Sequence, residues 1–237
     1  MKLPDRADDA DGWVRLPWDS NHFGFPIGRL IPASLSEDAL LRALHSAEVA
    51  GLRCLYWLGD TTSSRREVAE RNGFRLVDTR LELEIRLPPP NSPSQEAQTI
   101  RVAEESDLDP LKVLAAKGHR NTRFYRDGQF PLDRTDEMYA AWIEGSFRDP
   151  TQLVYVSGPP GEPSGYIAFG SSDAGKGVIG LVGVEESHRA SGLGSALVTE
   201  ALGSSTPPSA RARTRRTLVS STTCRWPNAN DATAAAV

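Results

Sequence analysis

Residues 178–202 set an apolar run, a short polar loop and an apolar-periodic helix in direct succession. The run is Val178-Ile179-Gly180-Leu181-Val182-Gly183-Val184, and the helical period carries through Leu193, Ala196, Leu197 and Leu202. Such a succession restricts the local fold to a strand that feeds a helix N-terminus. The intervening loop holds Arg189, Gly192 and Gly194, with Ser195 just behind. Glycines lack a Cβ, so backbone N–H groups there can approach an anion closely. The helix start adds orphan N–H donors and about half a positive charge. Together these features form a pyrophosphate cradle. Spacing alone also fits a tight Gly-rich turn before an ordinary helix, because a lone Gly-x-Gly is weak. A second match, Gly175-Lys176-Gly177-Val178-Ile179-Gly180, runs into a strand instead of opening a helix and is read as a hairpin turn.

The pattern upstream divides the chain. Leu87 to Gln95 contains four prolines and no apolar period, which predicts an extended linker over residues 88–98. Residues 1–87 read as an N-terminal α/β subdomain. Phe25–Ile31 and Cys54–Leu58 are strand candidates, and Ser34 with Glu37 forms a capping box for a helix bearing Ala39, Leu40, Ala43, Leu44 and Ala47. A second helix over about 63–72 closes at Gly73, and Leu81, Leu83, Ile85 and Leu87 alternate with charged residues as a strand with one wet face. Residues 99–202 predict a strand over 99–103, a helix starting at Ser106-Asp107 and a helix capped by Asp133 or Thr135 with Met138, Ala141, Trp142 and Ile143 on its apolar face. Strands over 152–156, 165–170 and 178–184 then follow in hairpin order. This is a mixed α/β plan of the α+β kind.

Residues 203–237 read differently. They hold five arginines and one acid, while the chain as a whole has Lys+Arg 27 against Asp+Glu 31 and a net charge of −4. Gly, Ala, Ser, Thr and Pro fill 22 of these positions, and only Thr217-Leu218-Val219-Ser220 could serve as a strand. The tail is expected to be disordered or the product of a reading-frame shift, which the excess of 23 Arg over four Lys in the whole chain would fit. The overall balance argues against nucleic acid as a partner. No apolar run is long enough to span a membrane, and the acidic first twelve residues do not resemble a signal peptide. Cys54 and Cys224 supply neither a disulfide framework nor a metal-ligand spacing, so the expectation is a cytoplasmic protein with no metal.

Arg189-Ala190-Ser191-Gly192-Leu193-Gly194 resembles the Arg/Gln-x-x-Gly-x-Gly/Ala acetyl-CoA signature of the GCN5-related N-acetyltransferase (GNAT) family. Val184 stands five residues before Arg189, as in that family's lead-in, and Ala190 departs from a position where Gly is common. The likeness spans about residues 99–202. Leu16-Pro17-Trp18-Asp19-Ser20-Asn21-His22-Phe23-Gly24, Arg71-Asn72-Gly73-Phe74, and Arg123-Phe124 followed by Met138 to Glu144 are similar to segments of its TDP-fucosamine acetyltransferase branch. Those enzymes acetylate the 4-amino group of a nucleotide-linked dideoxy sugar and carry an N-terminal α/β subdomain.

The resemblance implies an acyl-CoA N-acyltransferase (GNAT) fold with a C-terminally incomplete sheet. It also implies acetyl-CoA as co-substrate and a small-molecule amine, such as a nucleotide sugar, as acceptor; a homodimer would suit it. The backbone of Val182, Gly183 and Val184 would pair with the pantetheine arm. The amides of Arg189, Ala190, Ser191, Gly192, Leu193 and Gly194 would hold the pyrophosphate, with Ser195 adding a hydroxyl. Arg123 would meet a substrate phosphate, and Phe124 or Tyr125 would stack on or close the acceptor pocket. Catalysis would be direct attack of a neutral amine on the thioester.

The usual thiolate-protonating Tyr has no counterpart, because the five tyrosines are 56, 125, 139, 155 and 166 and none follows the coenzyme-binding helix. The catalytic residues are therefore left open. His119 is the better-placed candidate base, while Tyr139 and Trp142 on one helix face read as core. Two alternatives stand beside the sugar nucleotide: an acetyltransferase for another small-molecule or peptide amine, and a non-catalytic acyl-CoA-binding remnant.

Overall fold

A computed structural model describes residues 12–31, 36–60, 65–82, 100–171, 177–204 and 218–225. It divides into two units. The first contains strands β1 (Trp13–Arg15), β2 (Ile27–Leu30), β3 (Cys54–Asp60) and β4 (Arg75–Glu82), and helices α1 (Pro17–Phe23), α2 (Glu37–Val49) and α3 (Arg65–Arg71). The second contains β5 (Ile100–Val102), β6 (Gln152–Ser157), β7 (Gly165–Ser171) and β8 (Gly177–Val184), with α4 (Leu108–Gly118), α5 (Arg123–Arg126, of which Arg126 falls in the first unit), α6 (Leu132–Arg148) and α7 (Leu193–Ser204). Strand β9 (Leu218–Arg225) returns to the first unit.

The sheet of the first unit runs β1-β2-β3-β9-β4. β2 and β3 are parallel, whereas β9 is antiparallel to both of its neighbours. Leu40, Ala43, Leu44 and Ala47 recur at helical spacing on α2, and they pack with Leu52, Leu55, Trp57 and Phe74. The N-cap of α2 is Ser36, whose Oγ accepts from the Ala39 amide at 3.3 Å; the expected cap, Ser34, lies outside the described residues. Pro17 opens α1, and Gly24 closes it at φ 77°, which glycine adopts without Cβ strain.

Within the tail, read from sequence as disordered or frame-shifted, residues 218–225 instead form β9, longer than the Thr217–Ser220 segment that could serve as a strand and paired on both sides. Thr222 pairs with Leu58 on one side and Asp78 on the other, so both backbone edges of β9 are engaged. A ladder of this kind satisfies main-chain groups whatever the side chains are. The linker 88–98 and most of the tail lie outside the described residues.

In the second unit β5-β6-β7-β8 form an antiparallel sheet, with the strands of 152–184 in the expected hairpin order. Alternation along β7 separates two faces. Ile167 and Phe169 point to α7 and meet Leu193, Leu197 and Ala201. Tyr166 and Ala168 point the other way, to the side where α6 and α4 pack on the sheet. Gly165 faces α7, where an added Cβ would lie 3.1 Å from both Leu193 and Leu197. α6 begins at Leu132, ahead of the expected caps, because the Pro131 carbonyl accepts from both the amide and the hydroxyl of Thr135.

One ion pair ties the start of this unit together. Arg101 Nη1 and Nη2 donate to Asp107 Oδ2 and Oδ1 at 2.7 and 2.8 Å. The same carboxylate accepts from the Glu104 and Gly161 amides, linking β5, α4 and the β6–β7 turn. Burial pushes the Asp107 carboxyl up, but Arg101 and the two amides outweigh it and hold the group at about 2. A depressed folded value contributes stability above the ordinary carboxylate range that is lost as pH falls through the folded value. Thermal unfolding of D107N is therefore expected to show a loss of about 2 kcal/mol at pH 7. The gap between D107N and wild type should narrow between about pH 4 and pH 2. T222P removes a ladder donor in the middle of β9 and should cost on the order of 2 kcal/mol in the first unit, read by chemical denaturation.

Candidate active site

β8 ends at Val184, a 3-10 turn spans Glu186–His188, and α7 starts at Leu193. The predicted cofactor residues Val182 to Val184 and Arg189 to Ser195 therefore form one continuous strand, loop and helix start. Ala190 has φ 59° and Gly192 φ 85°, both left-handed, and these reverse the chain into α7. Gly192 needs its conformation and not its small size, since an added Cβ would meet nothing within 4 Å.

The loop is held by its own groups. Ser191 Oγ donates to the His188 carbonyl at 2.6 Å, Arg189 Nε donates to the Val184 carbonyl at 3.3 Å, and His188 Nδ1 lies 3.0 Å from Glu185 Oε2. The Arg189 amide donates to Glu186, and the first intrahelical donor is Ala196, bonded to Gly192. Between them, the amides of Ala190, Ser191, Gly192, Leu193, Gly194 and Ser195 have no acceptor among the described residues. Six consecutive unpaired donors at a helix N-terminus suit a polyanion such as a pyrophosphate. The residues present thus fit the coenzyme that the signature implies.

Val182, Gly183 and Val184 face Ile167, Tyr166 and Gly165 across the β7–β8 ladder. The register shifts between Ala168 and Phe169, leaving Gly180 as the extra residue on β8. Among the described residues β8 pairs with β7 alone, so its other edge offers backbone groups to an extended ligand. Gly183 lies against the phenol of Tyr166. A Cβ there would sit 2.6 Å from Tyr166 Cε1 and 2.9 Å from Cζ.

The predicted substrate residues separate. Phe124 is buried, edge-on to both Phe130 and Trp142, with the Arg123 guanidinium 4.5 Å from its ring centroid. Phe124 is thus a core ring that carries Arg123. Tyr125 turns elsewhere. Its hydroxyl donates to Asp136 Oδ1 at 2.6 Å, and its ring stacks on Tyr139. Burial and Asp136 both push the Tyr125 hydroxyl up, so it stays protonated. Tyr139 is buried and meets Trp142 edge-on, as expected of core residues.

His119 ends α4. Its ring stacks on Tyr139 with centroids 4.6 Å apart, and Nε2 lies 2.8 Å from Tyr166 Oη. Burial alone holds its imidazole below the ordinary histidine value, so it is neutral at pH 7. Tyr166 was not singled out from the sequence. It is one of several apolar-run residues on β7, and its partner lies 47 positions earlier. Among the described residues no cluster of His, Cys, Asp and Glu could hold a metal ion, and no helix is long and apolar enough to cross a membrane.

These features agree with comparison to known proteins. Residues 119–214 match the acetyltransferase (GNAT) family model. Solved structures share the fold. A GCN5-related N-acetyltransferase from Kribbella flavida is 14% identical, with 88% of this chain and 84% of that one covered and a TM-score of 0.51. A second, from Sphaerobacter thermophilus, is 16% identical over 90% and 76%, with a TM-score of 0.56. A functionally unknown conserved protein from Staphylococcus epidermidis ATCC 12228 is 12% identical over 89% and 88%, with a TM-score of 0.62. No protein of curated function matches the chain. The mixed α/β architecture is that of the GNAT acyl-CoA N-acyltransferases.

The two glycines of the site should differ in tolerance. G183A forces a methyl into the buried Tyr166 ring and is expected to cost about 2 kcal/mol in thermal unfolding. G194A places its Cβ 3.7 Å from Val184 Cγ2, an ordinary contact, and should stay within about 0.5 kcal/mol of wild type.

Proposed function

We propose that this protein is an N-acetyltransferase that moves acetyl from acetyl-CoA to a primary amine, with the amino group of a nucleotide-linked amino sugar as the acceptor. The observation that carries this reading is the run of unpaired amides from Ala190 to Ser195, behind the open edge of β8. The amides would take the pyrophosphate, with Ser195 supplying a hydroxyl beside them. Backbone groups of Val182 to Val184 would hold the pantetheine arm as an extra strand. An arm fixed in this way presents its thioester to an amine at high effective concentration.

The acceptor class rests on the α4–α5 region and on the resemblance of Leu16–Gly24, Arg71–Phe74 and Met138–Glu144 to the sugar-nucleotide branch. Arg120 and Arg123 flank the aromatic group there, and Arg120 lies 4.9 Å from the Tyr125 ring centroid. Guanidinium groups beside aromatic rings suit a phosphate joined to a planar base. A non-catalytic acyl-CoA binder is the second reading, since the unpaired amides account for coenzyme binding without any group that moves a proton.

Titration calorimetry of the full chain with acetyl-CoA should give binding in the micromolar range, and G192V, which strains the left-handed turn into α7, should weaken it at least tenfold in protein that is still folded, with a lowered melting temperature. Thiol release with a panel of amines should then be fastest with an amino sugar nucleotide. Binding without release from any amine would select the non-catalytic reading, and no binding by folded protein would end both.

A further inference from the structure

We propose that His119, positioned by Tyr166, is the proton carrier of the acetyl transfer. It would take the proton that the amine loses and hand it to the departing thiolate. This inference rests on the acetyltransferase reading above.

The two residues come from different elements and meet at the coenzyme strand. Tyr166 is fully buried on β7 and lies opposite Gly183 in the ladder. Its hydroxyl oxygen would be 3.1 Å from a Cβ on Gly183, so the phenol rests on the bare backbone of β8 within the segment that would hold the pantetheine arm. His119 Nε2 bonds to that same hydroxyl. The imidazole thus bonds to a phenol that packs on β8, on the side of the sheet where α4 and α6 lie.

The ring is held rigidly. Tyr139 stacks beneath it, Tyr125 stacks on Tyr139 at 6.1 Å, and Arg120 covers Tyr125. The Tyr139 hydroxyl donates to Thr122 Oγ1 at 2.6 Å, and that hydroxyl in turn donates to the His119 carbonyl. Preorganisation of this kind is what a proton-transfer group needs. Around the imidazole, the titratable and charged groups are Tyr166 on β7, Tyr139 and Asp136 on α6, Tyr125 on α5, and Arg120 and Lys117 on its own segment. Asp136 is engaged by Arg120 and Tyr125, and no carboxylate bonds to His119 among the described residues. Nδ1 has no partner among the described residues and is not sealed from solvent.

The chemistry balances within this one side chain. In the reactive tautomer Nε2 carries the hydrogen and donates to the Tyr166 oxygen, leaving a lone pair on Nδ1. As the C–N bond forms and the C–S bond breaks, the surplus proton on nitrogen passes to Nδ1. The imidazolium keeps its Nε2 hydrogen bond and gives the Nδ1 proton to the thiolate, whose ordinary pKa of about 8.5 makes the transfer downhill. Free thiol and acetamide leave, and His119 is neutral again. A group that burial keeps neutral at pH 7 is ready for the first step.

The test uses the full chain and three proteins: wild type, H119Q and Y166F. Each is checked for acetyl-CoA binding by calorimetry, and His119 is titrated by NMR without coenzyme. Wild-type His119 should titrate below about 6.5, and Y166F should lower that value further by removing the oxygen that accepts from the imidazolium. H119Q should bind acetyl-CoA within twofold of wild type yet lose about 100-fold or more in kcat with little change in KM. The acidic limb of the kcat profile should vanish in H119Q and move with the NMR value in Y166F, with kcat down about tenfold. A limb set by the acceptor's own ammonium group should persist in all three. H119Q with wild-type kcat and an unchanged profile would overturn the inference while leaving acetyl transfer intact. A wild type that binds acetyl-CoA but acetylates no amine would remove both. If His119 titrates normally and is indifferent to Y166F, the positioning role of Tyr166 falls.

Discussion

The contact between the Tyr166 ring and the bare Cα of Gly183 governs the arrangement of the second unit. A buried phenol can lie flat on a neighbouring strand only where that strand has no side chain on the facing side. Gly183 supplies the gap, and the 2.6 Å approach of a hypothetical Cβ shows how fully it is used. From this one contact follow the direction of the hydroxyl, the position of the imidazole that meets it, and the layer of rings behind. The same residue lies in the strand segment whose second edge has no partner among the described residues. Packing inside the sheet and ligand presentation outside it are therefore set at a single position on β8.

The two faces of this sheet divide the work. Ile167 and Phe169 anchor α7, which sets the height and direction of the unpaired amides at its start. Tyr166 and its partners occupy the opposite face, where hydroxyls are handed on in sequence: Tyr139 to Thr122, Thr122 to a carbonyl, Tyr125 to Asp136. Buried polar networks stabilise a unique packing only when they are satisfied throughout. Here Nδ1 of His119 has no partner among the described residues and is not sealed from solvent.

Sequence patterns reveal what is local. The apolar run at 178–184 and the period after Gly192 announce a strand, a loop and a helix, because each signal is complete within a few residues. The apolar stripe of α2 is legible for the same reason. Phe124 was harder, since an aromatic next to arginines looks like a recognition loop until its ring is seen between Phe130 and Trp142. Tyr166 and His119 give no joint signal at all, because their meeting depends on the β7 register and on the end of α4. β9 is the extreme case. The sequence Ser220 to Thr223 carries no apolar alternation, and what the structure shows there is backbone pairing, with Leu58 and Asp78 on either side of Thr222.

β9 also orders events in time. A ribosome releases β3 and β4 early, yet the strand that lies between them emerges only after the second unit. Until then both edges expose unpaired backbone groups, the condition that invites mispairing with other chains. The unit that comes first in sequence is thus completed last, after the entire second unit has been synthesised. Its assembly waits on a contact of very long sequence separation, which makes its folding slow relative to its neighbour's.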